Sequence, residues 1–147
     1  MNLDRYTYFA SNDFKDYEFY STGPKGRIKK SVLFTRIVAE STFYNLAFGD
    51  IDPDTDLLDD TVVTDNNDRD LVLATVASTI NNFSDRYGNH FIYAEGSTAA
   101  RTRLYQISIS ALWEEIRLNF DVYGFKDGEW HKFQKNVNYE AFFVKRK

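Results

Sequence analysis

Apolar and polar positions alternate through the first third of the chain with the two-residue period of a sheet that has one covered face. Tyr17-Glu18-Phe19-Tyr20-Ser21-Thr22 keeps that period and Gly23-Pro24-Lys25-Gly26 interrupts it. Arg27 to Val38 follows, rich in β-branched and aromatic residues. The two runs predict a hairpin joined by a tight turn. Thr42 to Phe48 predicts a third strand, bounded by Gly49-Asp50 and then an acidic loop. The period then changes. Leu73, Val76, Ile80, Phe83 and Tyr87 recur at spacings of three and four, which predicts a helix over 68–87. Asn67 or Asp68 is placed to cap it, Asp70 lies in its first turn, and Gly88 stands where a left-handed C-terminal residue is wanted.

His90 to Ala94 is a short apolar run that predicts a strand, and a second helical pattern covers 98–118. Here Ala100, Leu104, Ile107, Ala111 and Leu118 make one stripe. Tyr105, Ile109, Leu112 and Ile116 make a neighbouring one, so the helix is expected to pack broadly on the sheet. Gln106 to Ser110 also alternates like a strand, so the period there is ambiguous. Asp127-Gly128 predicts a tight hairpin between Phe120–Tyr123 and Trp130–Phe133, and a last strand is expected over 138–144. The order βββ-α-β-α-βββ implies an α+β fold, with two helices packed on one face of a largely antiparallel sheet in two layers. A length of 147 residues fits a single domain over 1–147.

Composition narrows the chemistry. With no Cys there is no disulfide, thiolate nucleophile or Cys-ligated zinc. No apolar run approaches the ~18 residues of a membrane span, and the first residues do not resemble a secretion signal. A cytoplasmic protein without membrane association is the expectation. Charge is uneven: Asp50 to Asp70 holds nine Asp and one Arg, net −8, leaving the rest of the chain with 17 basic and 13 acidic side chains, net +4. Lys25, Arg27, Lys29, Lys30 and Arg36 lie in a stretch without any acid. A basic face at Lys25, Arg27 and Lys29 could meet a polyanion, be masked by the acidic loop, or be ordinary solvated surface.

The most specific chemical feature is Glu95-Gly96-Ser97-Thr98-Ala99-Ala100-Arg101-Thr102-Arg103, at a strand-to-helix junction. Free amides at a helix start, a glycine that lets a ligand approach, and two forked donors make Gly96, Ser97, Thr98, Arg101 and Arg103 a candidate anion site. Residues two apart on a helix point in different directions, so at most one arginine should reach such an anion. A plain cap explains the same residues, with Ser97 or Thr98 at N-cap, Gly96 in the turn and Arg101 paired to Glu95 or a loop aspartate. Gly23-Pro24-Lys25-Gly26 reads as a turn rather than a phosphate cradle. Asp50 to Asp56 has carboxylates at alternate positions, but Thr55 and Thr61 stand where an EF-hand needs Gly and Glu, so no metal is assigned there. His90 and His131 are the only histidines, and no hydrolase, P-loop or Rossmann pattern occurs. The aromatic pairs Phe43-Tyr44 and Phe142-Phe143 could stack bases, although two-layer packing needs about half of such rings in the core.

The Gly-Pro-Lys-Gly turn, Tyr44 to Asp50, Leu73 to Ala77, Glu95 to Thr98 with Arg101 to Tyr105, and Tyr139 to Lys147 together resemble a domain-of-unknown-function family. Its members are small bacterial proteins of about this length, mainly from Bacteroidota. The resemblance spans nearly the whole chain, implies one intracellular bacterial domain, and carries no catalytic role to any residue.

With no convergent nucleophile, base and orienting group, the expectation is a non-enzymatic binding or interaction module without a cofactor. Its partner would be a protein, a second copy, phosphate or nucleic acid, as for a regulatory or toxin–antitoxin component. The rival is a phosphate-handling, metal-assisted enzyme acting on a nucleotide or nucleic acid. It requires Glu95 and one of Asp50, Asp52 or Asp54 to share a metal.

Overall fold

In the computed structural model, which describes residues 4–37, 42–59 and 65–147, helices pack on one face of a nine-stranded sheet. β1 (Tyr8–Ala10), β2 (Asp16–Gly23), β3 (Gly26–Arg36), β4 (Tyr44–Ile51) and the two-residue β5 (Leu58–Asp59) come first. α1 (Arg69–Tyr87), β6 (Ile92–Ala94), α2 (Ala99–Ala111) and α3 (Trp113–Asn119) follow, and β7 (Phe120–Lys126), β8 (Glu129–Lys132) and β9 (Ala141–Arg146) end the chain. Side by side the strands run β1-β2-β3-β4-β6-β9-β7-β8, with β5 on β4. Among the described residues only β4 and β6 pair in parallel. This is the α+β architecture that the hydrophobic pattern implies. Val38, at the expected end of β3, and 60–64 of the acidic segment lie outside the described residues.

The pleat sorts the aromatic pairs. Tyr44 and Phe142 turn inward and are buried, while their neighbours Phe43 and Phe143 turn to the other face. There Phe143 meets Tyr93 and Trp130, with ring centroids 5.6 and 4.3 Å apart, and Lys145 lies 5.0 Å from the Phe91 ring. Inside, Phe34 stacks on Phe83 of α1 at 4.4 Å, which fixes α1 over β3.

Turn chemistry follows the sequence closely. Gly23 and Gly26 are register partners, so Pro24-Lys25 is a two-residue hairpin loop. Asp127 and Gly128 both take positive φ, 53° and 77°, as the β7–β8 turn demands. Asp68 is the N-cap residue of α1, yet its carboxylate does not cap. It accepts hydrogen bonds from Tyr6 and Ser21 instead, at 2.6 and 2.5 Å.

Three expectations need correction. The single helix over 98–118 is two helices, because Leu112 (φ −109°, ψ 17°) leaves helical geometry. The break turns Trp113 onto Phe133, with centroids 4.6 Å apart, while Ile116 stays in the core. Nor does this segment pack broadly: Leu104, Ile107 and Leu118 of the first stripe are 46, 40 and 61% exposed. The inward side of α2 carries Arg101, Thr102, Gln106 and Ser108 beside Ile109. Its apolar stripe faces outward because the interior it lines is partly polar. The third strand also runs past its expected end at Phe48 to Ile51, which makes Asp50 a buried strand residue rather than part of a solvated loop.

Candidate functional site

Thr98 is the N-cap of α2, with extended backbone and a hydroxyl that accepts from the Arg101 amide at 3.3 Å. Thr102 Oγ1 accepts from the Gly96 amide at 3.0 Å, tying the junction back onto the first turn. Gly96 itself is buried, and a Cβ there would come within 2.5 Å of the Thr102 nitrogen. The glycine is therefore required by the helix packed against it. Ser97 and Thr98 are exposed.

The two arginines diverge. Arg103 is exposed and lines a cavity of about 500 Å³ with Arg69, Gln106, Ile107 and Lys135. Arg101 runs inward and is only 6% exposed. Its Nη2 donates to the Phe48 carbonyl at 3.2 Å and its Nη1 to Ser97 Oγ at 3.3 Å, while Nε has no acceptor among the described residues. No carboxylate of the described residues pairs with it, neither Glu95 nor a loop aspartate. A buried guanidinium without a counter-ion is costly, so such a group marks a candidate site.

Arg101 borders a half-open cavity of about 590 Å³ lined by α1, α2, α3 and the sheet. Lys30, from β3, borders the same space and lies 5.8 Å from the Phe48 ring, so both cations flank Phe48. Lys30 Nζ donates to Asp50 Oδ1 at 2.6 Å, an ion pair buried at both ends. The remaining wall is largely apolar, with Leu46, Ile80, Ile109, Val122 and Phe142 among its residues.

The chain matches the sequence profile described as a Family of unknown function (DUF6934) over residues 2–147. It belongs to that family. No curated protein and no solved structure matches it. The resemblance read from the Glu95–Tyr105 block and the other motifs is therefore a true family relationship, and the block that carries it supplies Arg101 to the cavity wall.

Other candidate residues are not gathered there. Arg27 lies 3.8 Å from the Tyr20 ring, and Lys29 pairs with Glu18 at 3.3 Å and Asp56 at 3.6 Å, so one acidic-loop residue does reach the basic strands. Lys25 is exposed, and its amide donates to Asn66 Oδ1 at 2.7 Å. Asn66, 1% exposed, also donates to the Gly26 carbonyl and Ser21. It fills the turn a phosphate cradle would leave open. Glu95 accepts from the Tyr93 hydroxyl at 2.6 Å while Asp50 holds Lys30, so the two carboxylates serve different partners. Among the described residues no three His, Cys, Asp or Glu side chains converge to hold a metal. His90 bonds the Tyr87 carbonyl and His131 the Lys126 carbonyl. No helix of the described residues is long and apolar enough to cross a membrane.

The inward turn of Arg101 is what sequence reasoning missed. Thr102, Gln106 and Ile109 share its side of the helix, a polar pattern that signals a wet or liganded interior once the neighbouring apolar stripe is recognised as exposed.

Proposed function

We propose that this protein is a non-enzymatic binding module, one bacterial cytoplasmic domain over 1–147, which takes the anionic group of a small ligand onto Arg101. The supporting observation is the 6%-exposed Arg101 guanidinium, whose Nε lacks an acceptor and whose charge lacks a carboxylate among the described residues. An entering carboxylate or phosphate would accept from that fork and replace the missing counter-ion. In this proposal the 95–103 junction is still the anion site. The anion meets it from the interior, and Gly96, Ser97 and Thr98 shape the helix start. Arg103 faces elsewhere and is not required.

The test is calorimetric titration with acetate and inorganic phosphate at high concentration, comparing wild type with Arg101→Met, Arg101→Lys and Arg103→Met. Wild type and Arg103→Met should bind alike, and Arg101→Met should lose at least about tenfold. Arg101→Lys keeps the charge without the fork and should fall between. The proposal fails if wild type binds neither anion, or if folded Arg101→Met binds as wild type does.

A further inference from the structure

The cavity beside Arg101 is polarised along its length. Its floor crosses β3, β4, β6, β9 and β7, through Lys30, Phe48, Ala94, Phe142 and Val122. Four interstrand spacings make that span roughly 19 Å. Both buried cations stand at the β3–β4 end, Lys30 from the floor and Arg101 from the first turn of α2. The carboxylates that border this end have partners of their own. Asp68 accepts from Tyr6 and Ser21, Asp65 from the Asn67 amide, and Asp70 lies beside Arg69. Towards β9, β7 and α3 the wall is Ile116, Phe120, Val122, Phe142 and Val144, with no charged or polar side chain. A volume near 590 Å³ is of the size that holds a whole small molecule.

Resting on the reading of Arg101 as the anion contact, we infer that the ligand is a single-headed amphiphile. Its carboxylate or phosphate sits at Arg101 and its unbranched apolar tail lies across the sheet towards Val122 and Phe142. Inorganic phosphate or a free nucleotide does not fit this division, because either would leave the apolar end of the cavity facing water or set polar edges against it. A fully apolar ligand does not fit either, because it would leave the buried Nε unpaired. Head and tail are each demanded by a different end of the same space.

Titrating wild-type protein with decanoate, decyl phosphate, decanol and acetate separates the two demands. Decanoate is expected to bind at least about 100-fold more tightly than acetate, because each methylene buried adds a further increment. Decanol is expected to bind at least about tenfold more weakly than decanoate. Decyl phosphate against decanoate identifies which head the fork prefers. Val144→Phe, which narrows the apolar end, should weaken decanoate while leaving acetate unchanged. Should acetate bind as tightly as decanoate, with the same dependence on Arg101, the tail inference fails and the anion reading stands. Should decanol match decanoate, the head assignment fails. Should none of the four bind, both readings fall together.

Discussion

Lys30 and Asp50 are register partners on β3 and β4, with Nζ 2.6 Å from Oδ1 and side chains only 1 and 9% exposed. A pair so placed contributes less than its Coulomb energy suggests, because both charges left water to form it. Removing one partner is the expensive change. Lys30→Met and Asp50→Asn should each cost about 3–5 kcal/mol in urea unfolding, since each leaves a buried charge behind. The double variant Lys30→Met/Asp50→Asn should cost at least about 1 kcal/mol less than the two single losses together. Full additivity would show that the pair is not energetically coupled.

The inverted polarity of α2 makes a second, opposite pair of expectations. Ile109 is 8% exposed and belongs to the core cluster, so Ile109→Ala should cost about 2–5 kcal/mol. Ile107, two residues away and 40% exposed, should tolerate Ile107→Gln within about 0.5 kcal/mol. Thermal unfolding of the two variants measures this directly. Equal losses would mean that the stripe of Leu104 and Ile107 is covered in the folded protein.

Much of the architecture was legible from local signals: the hairpin turns, the α1 stripe, and the change from a period of two to a period near four. What escaped depends on contacts between distant segments. Asp50 is indistinguishable in sequence from its neighbours in the acidic run, and it is pairing with Lys30, twenty residues away, and with Asp59 that makes it a strand residue. Asn66 looks like loop composition until the Pro24-Lys25 turn closes on it. The second helix misled for a different reason. Periodicity shows which residues share a face but not which face turns inward, and α2 turns in a mixed one, with Arg101, Thr102, Gln106 and Ser108 beside Ile109. The spacing of Arg101 and Arg103 did foretell that they diverge, though not that the buried one borders a cavity.

The Tyr93–Glu95 contact has a pH signature. Partial burial and the hydrogen bond to Glu95, with its negative charge close by, push the Tyr93 hydroxyl up to about 12. The folded state then holds a proton that the unfolded chain releases near 10, so this group's contribution to stability falls as pH rises from 10 towards 12. Glu95→Gln removes the charge and should bring the Tyr93 titration back towards 10 in a phenolate absorbance titration. An unchanged curve would show that burial alone sets it.

In the proposed function Arg101 holds its guanidinium ready for an anion inside the fold, and the Arg101 Nε–H signal in an arginine-selective proton–nitrogen spectrum reports on that atom. Free protein should show one Nε–H that has no protein acceptor and that disappears in Arg101→Lys. Adding decanoate should shift this resonance downfield and slow its exchange with water, as expected when a charged acceptor takes up the unpaired donor. The Arg103 resonance should stay where it is. If decanoate leaves the Arg101 signal unmoved while shifting those of exposed arginines, the ligand binds elsewhere and the account is wrong.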